Sequence, residues 1–251
     1  MIKGFVPSHY LIRVDDLHAA VADYRAAGFT VTWGGDPEKA HNALIYFDSG
    51  GFLELFTLPK GPVGLAMKLA AAIGGALGSA QLKRVSGWLN ASGLCAYALE
   101  TPEPLATTLA FAKERGVPVT GLRKMSRAQV DGEVTRWELS ACIDEHLPFM
   151  MGPYMPAPKI TQADKTHPNG INRLLGLVIR TPDVDSYRRT LADLLGLPAD
   201  TEGPLVSQGF RFEVEAGDTF ALAAVLVPRL PQAGAQLHGL PLKAASVEGS
   251  G

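Results

Sequence analysis

The stretch SHYLIRVDD, residues 8–16, decides the fold. Its aromatic and β-branched apolar residues are typical of a β-strand, and the two aspartates at its end are typical of a helix N-terminus. An amphipathic helix pattern follows over residues 17–27 and ends at Gly28. Three more strand-like runs, separated by turn-forming residues, lie at residues 29–33, 41–47 and 52–57. The N-terminal part of the chain therefore predicts the order βαβββ.

The same order of elements returns twice along the chain. Strand-like runs begin at Leu94 and Leu174, and each is followed by Thr-Pro, an acidic residue and a helix pattern that ends at a glycine. Further strand-like runs follow these helices, at 117–122, 134–143 and 147–152 in the second unit and at 209–214 and 220–228 in the third. An internal repeat indicates that one supersecondary unit is used several times. We therefore predict an α+β protein built from repeated βαβββ units.

Composition marks the connections between these units. Residues 59–92 form a long insertion rich in Ala, Gly and Leu, and residues 154–173 are polar and rich in proline. The C-terminal residues are small and polar, as in flexible tails. We predict a first unit at 1–58, a helical insertion or lid at 59–92, a second unit at 93–153, a crossover linker at 154–173, a third, partial unit at 174–230 and a flexible tail at 231–251.

The bulk composition excludes several classes of protein. Of the 251 residues, 47% are hydrophobic and 19% are charged, which is ordinary for a globular chain and unlike a disordered one. A net charge of −2 without a concentrated basic segment argues against a nucleic-acid partner. The two cysteines, Cys95 and Cys142, lie in apolar segments and are expected to be reduced and buried.

Nothing in the sequence predicts a secretory or membrane-spanning segment. The N-terminus has no apolar signal-peptide core. Residues 62–82 are apolar, but they carry Lys68 and several glycines, whereas a spanning helix needs about 20 mostly apolar residues without charge. We therefore expect a cytoplasmic protein without a membrane partner.

Several segments resemble the glyoxalase-like domains of the vicinal-oxygen-chelate (glyoxalase/bleomycin resistance/dioxygenase) superfamily. They read HYLIRVDD at 9–16, AGFTV at 27–31, NALIYF at 42–47, FLELF at 52–56, LPFM at 147–150 and THPNG at 166–170. The resemblance implies that paired βαβββ units curl into cupped, open mixed β-sheet barrels with flanking helices. It also implies a divalent metal in the cup that holds two neighbouring oxygens of a substrate and stabilises developing negative charge. It does not specify the substrate, because this fold supports many reactions.

The resemblance places His9 at the metal-ligand position of the first strand and Glu54 at that of the fourth. Strand alternation lets both side chains point into one cup. A carboxylate between Leu53 and Leu55 is also costly to bury without a partner. An imidazole and a carboxylate suit Zn, Fe, Mn or Ni. We therefore expect both residues to be metal ligands and catalytic groups, with Glu54 also acting as a base, and no nucleotide cofactor.

The second unit departs from the family pattern. Ala96, or Tyr97 if the alignment shifts by one residue, occupies the position where a second histidine is expected, and its last strand offers Phe149 or Met150 instead of a carboxylate. A metal would therefore need a third ligand from elsewhere, or water. The candidates are His41, Glu138 and His146, although residues of these types are more often ordinary polar residues than ligands.

Three further residues are candidate substrate contacts. Arg13 shares a strand face with His9 about 13 Å away, where the resemblance implies a grip on a substrate carboxylate, although a salt-bridged surface arginine fits equally. Trp88 and Tyr97 are candidate aromatic walls of the cup. The apolar insertion at 62–82 is either a lid over that cup or a helix packed between units.

Three functions remain open from the sequence. The first is a metal-dependent isomerase, lyase or dioxygenase that acts on a small oxygen-bearing metabolite. The second is a metal-free protein that binds and sequesters a small molecule, and the third is a metal-free enzyme that uses Glu54 and His9 as base and acid. Because three units are an odd number for a fold that works in pairs, the third unit either packs against the first two or pairs with its copy in a homodimer.

Overall fold

A computed structural model describes residues 4–59, 61–128, 132–198 and 200–245. The first unit has the predicted order: β1 (Val6–Arg13), α1 (Leu17–Ala26), β2 (Thr32–Trp33), β3 (Asn42–Tyr46) and β4 (Phe52–Phe56). Helix α1 begins where predicted because the Asp16 side chain accepts a hydrogen bond of 3.1 Å from the amide of Ala19. The predicted strand at 29–33 is shorter in the structure and keeps only Thr32–Trp33.

The insertion forms a helical hairpin of α2 (Pro62–Ala76) and α3 (Ala80–Asn90). The helices approach closely at Gly75, where an added Cβ would lie 2.8 Å from the Cα of Lys83. The cap of α3 is Ser79, whose hydroxyl accepts a hydrogen bond of 3.3 Å from the amide of Leu82. Among the described residues, no helix has the length and apolar character needed to cross a membrane.

The second unit differs from the prediction in its second strand. It contains β5 (Gly93–Glu100), α4 (Leu105–Glu114), β6 (Arg123–Ala128), β7 (Val134–Ala141) and β8 (Phe149–Met151). We predicted a strand over residues 117–122, but only Val119 forms an isolated bridge there, to Cys142, and the strand begins at Arg123. Pro118 lacks an amide donor and Gly121 has no side chain to pack, so this segment is a poor strand.

The first two units share one eight-stranded sheet with the order β2-β3-β4-β1-β5-β8-β7-β6. Strand β1 lies at the junction of the units, parallel to β4 and antiparallel to β5. Side-chain alternation along β1 sends His9 and Leu11 to one face and Tyr10 and Ile12 to the other. We call the face that carries His9 the cup.

The strands of the third unit form a second sheet with two further strands near the C-terminus of the described chain. After a short helix α5 (Gln162–Lys165), the elements are β9 (Gly176–Thr181), α6 (Val184–Leu195), β10 (Leu205–Ser207), β11 (Phe210–Ala216), β12 (Ala221–Val227) and β13 (Leu242–Ala244). The second sheet has the order β10-β11-β9-β12-β13. Strand β12 is antiparallel to β9 and parallel to β13, as β5 is antiparallel to β1 and parallel to β8. The strands β12 and β13 therefore occupy the places of a fourth unit.

Part of the segment predicted to be a flexible tail, residues 231–251, is an ordered strand in the structure. Strand β13 pairs with β12, Leu240 is buried, and the carbonyl of Leu237 accepts a hydrogen bond of 2.8 Å from the Tyr24 hydroxyl. These contacts fix residues 237–244 against the first unit and the second sheet. Residues 246–251 of the predicted tail lie outside the described residues.

An extensive apolar core lies between the two sheets. The ring of Tyr10 stacks on that of Phe210 with their centroids 5.7 Å apart, and the hydroxyl groups of Tyr97 and Tyr187 are 2.8 Å apart. Because the side of the first sheet that faces this core is opposite the cup, the third unit supports the cup from behind. The third unit thus packs against the first two, which is one of the two arrangements that we considered.

Candidate functional site

His9 and Glu54 meet in the cup, as the alternation of their strands predicts. His9 lies opposite Phe52 and Leu11 opposite Glu54 in the parallel pairing of β1 with β4, so both polar side chains share one face. Nε2 of His9 is 3.8 Å from Oε2 of Glu54. The side chain of His9 is 5% exposed and that of Glu54 is 21% exposed. The pair is therefore shielded from solvent, and Glu54 is its more open member.

A glycine brings the two strands together at this point. Gly51, just before β4, has φ of +91°, and a Cβ at this residue would lie 1.8 Å from the carbonyl oxygen of Ser8. Only glycine fits both the left-handed backbone and this close contact. The pairing of β1 with β5 also shifts register between Pro7 and Tyr10. Such a bulge redirects side chains, and here it accompanies the placement of both Ser8 and His9 beside the cup.

The ring of His9 lies between two aromatic rings. It stacks on Phe52 with centroids 4.7 Å apart and meets the edge of Phe149 at 5.2 Å. Burial lowers the pKa of His9 from 6.5 to about 3, because the imidazolium would lose its hydration. His9 is therefore a neutral imidazole at physiological pH.

Ser8 links His9 to a second carboxylate. The hydroxyl of Ser8 donates a 2.9 Å hydrogen bond to Oε2 of Glu100 and lies 3.1 Å from Nδ1 of His9. In this arrangement Nδ1–H of His9 donates to Ser8, and the lone pair of Nε2 faces Glu54. Burial raises the pKa of Glu100, and the Ser8 hydrogen bond lowers it.

Glu54 is a carboxyl group with a raised pKa. Burial is the main cause, while a 2.8 Å hydrogen bond from Nδ2 of Asn42 to Oε1 and the positive charge of Arg127 both favour the carboxylate and lower the pKa. Asn42 lies on β3 with its side chain directed at β4, so its amide fixes the orientation of Glu54. A carboxyl of this kind takes up and releases protons at higher pH than an exposed glutamate.

The electrostatic surroundings of Glu54 include two tyrosines and an arginine, and sequence reasoning missed all three. Burial and the negative charge of Glu54 raise the pKa of Tyr46 to about 12, while Arg127 lowers it. The pKa of Tyr154 is raised by burial and then by the charge of Glu54. Both phenols are therefore protonated donors at neutral pH. Tyr46 shares the cup face of β3 with Asn42, which is a signal that the sequence offered, whereas Tyr154 and Arg127 come from the second unit.

The predicted third metal ligands do not reach His9 and Glu54. His41 is exposed before β3, and Glu138 points to the opposite side of β7 from Leu139, which packs in the cup. His146 stacks on Phe220 of the third unit at 4.3 Å. Within the described ranges, no three His, Cys, Asp or Glu side chains are grouped so that they could hold a metal ion. The residues present thus offer two donors and do not fit a metal held by three or four protein ligands.

Of the three predicted substrate contacts, Arg13 lies on the cup face of β1, where it pairs with Phe56, and Trp88 packs in the cup itself. Its ring is 5.1 Å from Phe149, and helix α3 therefore covers the apolar end of the site. The prediction that Tyr97 forms a wall of the cup is wrong. Tyr97 lies opposite Tyr10 in the β1–β5 register and faces the core between the sheets. Arg13 donates to the carbonyl oxygen of Val14 and lies 3.6 Å from Asp15, at the end of β1 away from His9.

Comparison with known proteins places this fold in a family. Residues 8–195 match the family described as a glyoxalase-like domain. The chain belongs to that family. Its cupped sheet of paired units is the vicinal-oxygen-chelate fold. No curated protein matches the sequence.

Solved structures resemble this glyoxalase-like chain at low sequence identity. A hypothetical protein from Staphylococcus aureus is 13% identical, with a TM-score of 0.61 over 89% of this chain and 90% of that one. A variant of homoprotocatechuate 2,3-dioxygenase from B. fuscum is 15% identical, with a TM-score of 0.50 over 90% of this chain and 57% of that one. A methylmalonyl-CoA epimerase from Streptomyces coelicolor is 24% identical, with a TM-score of 0.36 over 61% and 98%. At these identities the first two show a shared fold, and the third carries no argument.

The neutral state of His9 predicts a contribution to acid sensitivity. Its pKa is about 3 in the folded chain and about 6.5 when unfolded, so between these values the unfolded chain binds the extra proton. The contribution of His9 to the free energy of unfolding therefore falls as the pH is lowered, by at most about 1.4 kcal/mol per pH unit. Glu54 acts in the opposite sense, since its raised pKa favours the protonated folded state at low pH.

Comparing the pH dependence of stability in the wild type and in His9→Gln isolates the contribution of His9. Urea unfolding of the wild type and of His9→Gln between about pH 7 and about pH 4.5 should show a shallower decline in stability on acidification for the variant. His18→Gln, at an exposed histidine of α1, should decline as the wild type does. Equal slopes for His9→Gln and the wild type would contradict a buried neutral imidazole.

Proposed function

We propose that this glyoxalase-like protein is an enzyme that moves a proton at the carbon next to a carbonyl group of a small oxygen-bearing metabolite, as an isomerase or a lyase does. The observation that carries the proposal is the pairing of Glu54, whose pKa is raised, with a neutral His9 at 3.8 Å in a shielded cup. A general base works best when its pKa lies near the pH of the reaction. A hydrated surface glutamate is too weak a base for this task.

In this proposal Glu54 abstracts the proton. Asn42 holds Oε1, so Oε2, which faces His9, is the oxygen available to the substrate. The proton leaves the substrate carbon and remains on the Glu54 carboxyl, and the electron pair of the broken C–H bond becomes an enolate. Return of the proton to either face gives an isomer, and loss of a neighbouring group gives a lyase product.

The donors around Glu54 would stabilise the enolate oxygen. Tyr46 and Tyr154 are both protonated, and the charges of Glu54 and Arg127 shift the pKa of each phenol. Preorganised donors in a site with little water are the largest source of rate acceleration in many enzymes. Arg127 adds a positive charge that suits a substrate carboxylate or phosphate.

No step of this proposal passes through a metal. His9 and Glu54 supply two donors, and among the described residues no third ligand stands near them. The dioxygenase reaction that we considered needs a redox cofactor firmly held by the protein. We therefore favour isomerase or lyase chemistry over ring cleavage.

A second function is supported by the other end of the cup. Leu11, Ala96, Ala98, Ala141 and Phe149 form a buried apolar cluster there, with Phe56, Trp88 and Leu139 packed on it. A cup with an apolar wall and a few polar groups also fits a protein that only binds and sequesters a small molecule. Binding without any proton exchange would favour this function.

Solvent deuterium exchange tests the proposal without a known product. The full chain is incubated in D2O with separate small 2-oxoacids, hydroxyketones and acyl thioesters, and loss of the α-proton signal is followed by NMR. We expect at least one class to exchange faster than in buffer alone, and to do so equally after dialysis against EDTA. Exchange that is lost with EDTA and restored by a divalent metal, or binding of the compounds without exchange, would contradict the proposal.

A further inference from the structure

Helix α2 presents a wide apolar surface to solvent. Six of the eleven exposed large hydrophobic side chains in the described residues belong to α2 or its C-cap, with exposed fractions from 45% to 82%: Val63, Leu65, Met67, Leu69, Ile73 and Leu77. Four alanines among them are exposed as well: Ala66, Ala70, Ala72 and Ala76. A helix that is apolar around most of its circumference is normally buried. This surface is thus far larger than the scattered apolar residues of an ordinary monomer.

The contact with α3 uses only the narrow side of α2. Gly64 and Ala71 are its buried residues, and Gly75 lets the α3 backbone approach. Lys68, the one charged residue of α2, is half-buried on the same side. The wide side opposite α3 therefore has no charge and, among the described residues, nothing that covers it.

We propose that this apolar side of α2 packs against the same side of α2 in a second copy of the chain. Its most prominent feature is one ridge with a spacing of four residues, made by Leu65, Leu69, Ile73 and Leu77. Small exposed residues flank the ridge on both sides: Ala66 and Ala70 on one side, Ala72 and Ala76 on the other. A ridge beside such grooves fits an identical helix, because ridges of this spacing interdigitate when two helices cross at about −50°.

A two-fold interface requires this self-complementarity. In such an interface each residue faces the same surface on the partner, so any charge near the axis would meet its own copy. The apolar side of α2 carries no charge and avoids that repulsion. Helices that bind membrane surfaces instead carry several lysines or arginines on their polar side, and α2 has one lysine, directed toward α3.

The apolar area is sufficient for a weak dimer. At roughly 80 Å² for each of the four ridge side chains and about half as much for each of the four flanking alanines, this side presents on the order of 500 Å² per copy. Two copies would bury about 1,000 Å², which is the lower limit for a specific interface. We therefore expect an association in the micromolar range.

Sedimentation of the full chain tests the interface. We expect wild-type protein to shift from monomer to dimer between about 1 and 100 μM, and Leu69→Glu to weaken the dimer by at least about 100-fold, because each copy would bury one carboxylate. Val206→Glu, at a valine of β10 that is 46% exposed, is the matched control and should sediment as the wild type does. Circular dichroism and thermal melting verify that both variants fold.

Other results would overturn the proposal. These are a monomer at every concentration, a dimer that Leu69→Glu leaves intact, and equal weakening by Val206→Glu. Cosedimentation of monomeric wild-type protein with phosphatidylcholine vesicles would instead assign the surface to a membrane. Ile73→Cys provides a second test: an oxidised dimer should form through this residue and not through Val206→Cys, since the native cysteines are partly or fully buried.

Discussion

Glu54→Gln is expected to lower the rate of substrate proton exchange by about 10²–10⁴-fold, the contribution typical of a general base. Glutamine has the shape of glutamate, and its carbonyl oxygen can still accept the hydrogen bond from Asn42 that now holds Oε1. The substitution therefore removes proton affinity and leaves the packing of the cup intact. The exchange assay in D2O gives the rate, and NMR line broadening of the same compound measures its binding, which should change little.

The pH dependence gives a second signature of the same group. Burial raises the pKa of Glu54, so wild-type exchange should rise with pH through this higher value and then level off as the carboxylate form becomes fully populated. Glu54→Gln should lack that rise. Glu114→Gln, at an exposed glutamate on α4, is the control and should keep both rate and profile. Exchange by Glu54→Gln at the wild-type rate would show that Glu54 is not the base.

The half of the site that lies in the first unit was predictable because its signals are local. The family resemblance gives the positions of His9 and Glu54, and the pairing of β1 with β4 within one unit brings both side chains to the same face. The other half depends on long-range structure. Tyr154 follows the last strand of the second unit, Arg127 belongs to its long hairpin, and Glu100 reaches Ser8 beside a shift of register.

Tyr97 shows that an alignment error of one residue is enough to assign a core residue to the site. The sequence left Ala96 and Tyr97 as alternatives for the position of the second unit that corresponds to His9 in the first. In β5, Ala96 lies on the cup face and Tyr97 contacts Tyr187 in the core behind it. Because successive side chains of a strand point to opposite faces, an alignment error of one residue exchanges cup and core.

The helices of the repeated units could be predicted because their signals are local. The short strands β10 and β13 could not be predicted. Helix caps and apolar periodicity mark each helix locally, as Asp183 does by accepting a hydrogen bond of 3.0 Å from the amide of Ser186 at the start of α6. Strands β10 and β13 have three residues each, which is too short to show alternation. They form strands because a sheet edge is available to them, which no local pattern reveals.

Arg84→Met is expected to lower the free energy of unfolding by about 3–5 kcal/mol, the largest stability effect of any single change proposed for this chain. The guanidinium is buried, and it donates hydrogen bonds of 2.5–3.0 Å to four backbone carbonyls between β7 and β8. Methionine fills a similar volume but leaves these carbonyls without their donor in a shielded place. The measurement is urea or thermal unfolding, with a fall in Tm of about 6–20 °C.

The position of Arg84 connects this loss to the site. It is the buried charged residue of α3, the helix that brings Trp88 over the cup, and its hydrogen bonds fasten that helix to the second unit. We therefore expect hydrogen exchange of residues 80–90 to rise in Arg84→Met by more than the global destabilisation accounts for. Arg84→Lys should give an intermediate result, because an ammonium keeps the charge but cannot span four carbonyls.

Lys83→Met is the matched control for this prediction. Lys83 precedes Arg84 on the same helix, its side chain is 64% exposed, and its ammonium lies 2.9 Å from the carboxylate of Glu145. An exposed ion pair contributes at most about 1 kcal/mol, so this variant should unfold almost as the wild type does. Similar losses for Lys83→Met and Arg84→Met would mean that the four buried hydrogen bonds do not hold α3 in place. A loss of stability confined to Arg84→Met, with faster hydrogen exchange in α3, would show that Arg84 holds α3 over the apolar end of the cup.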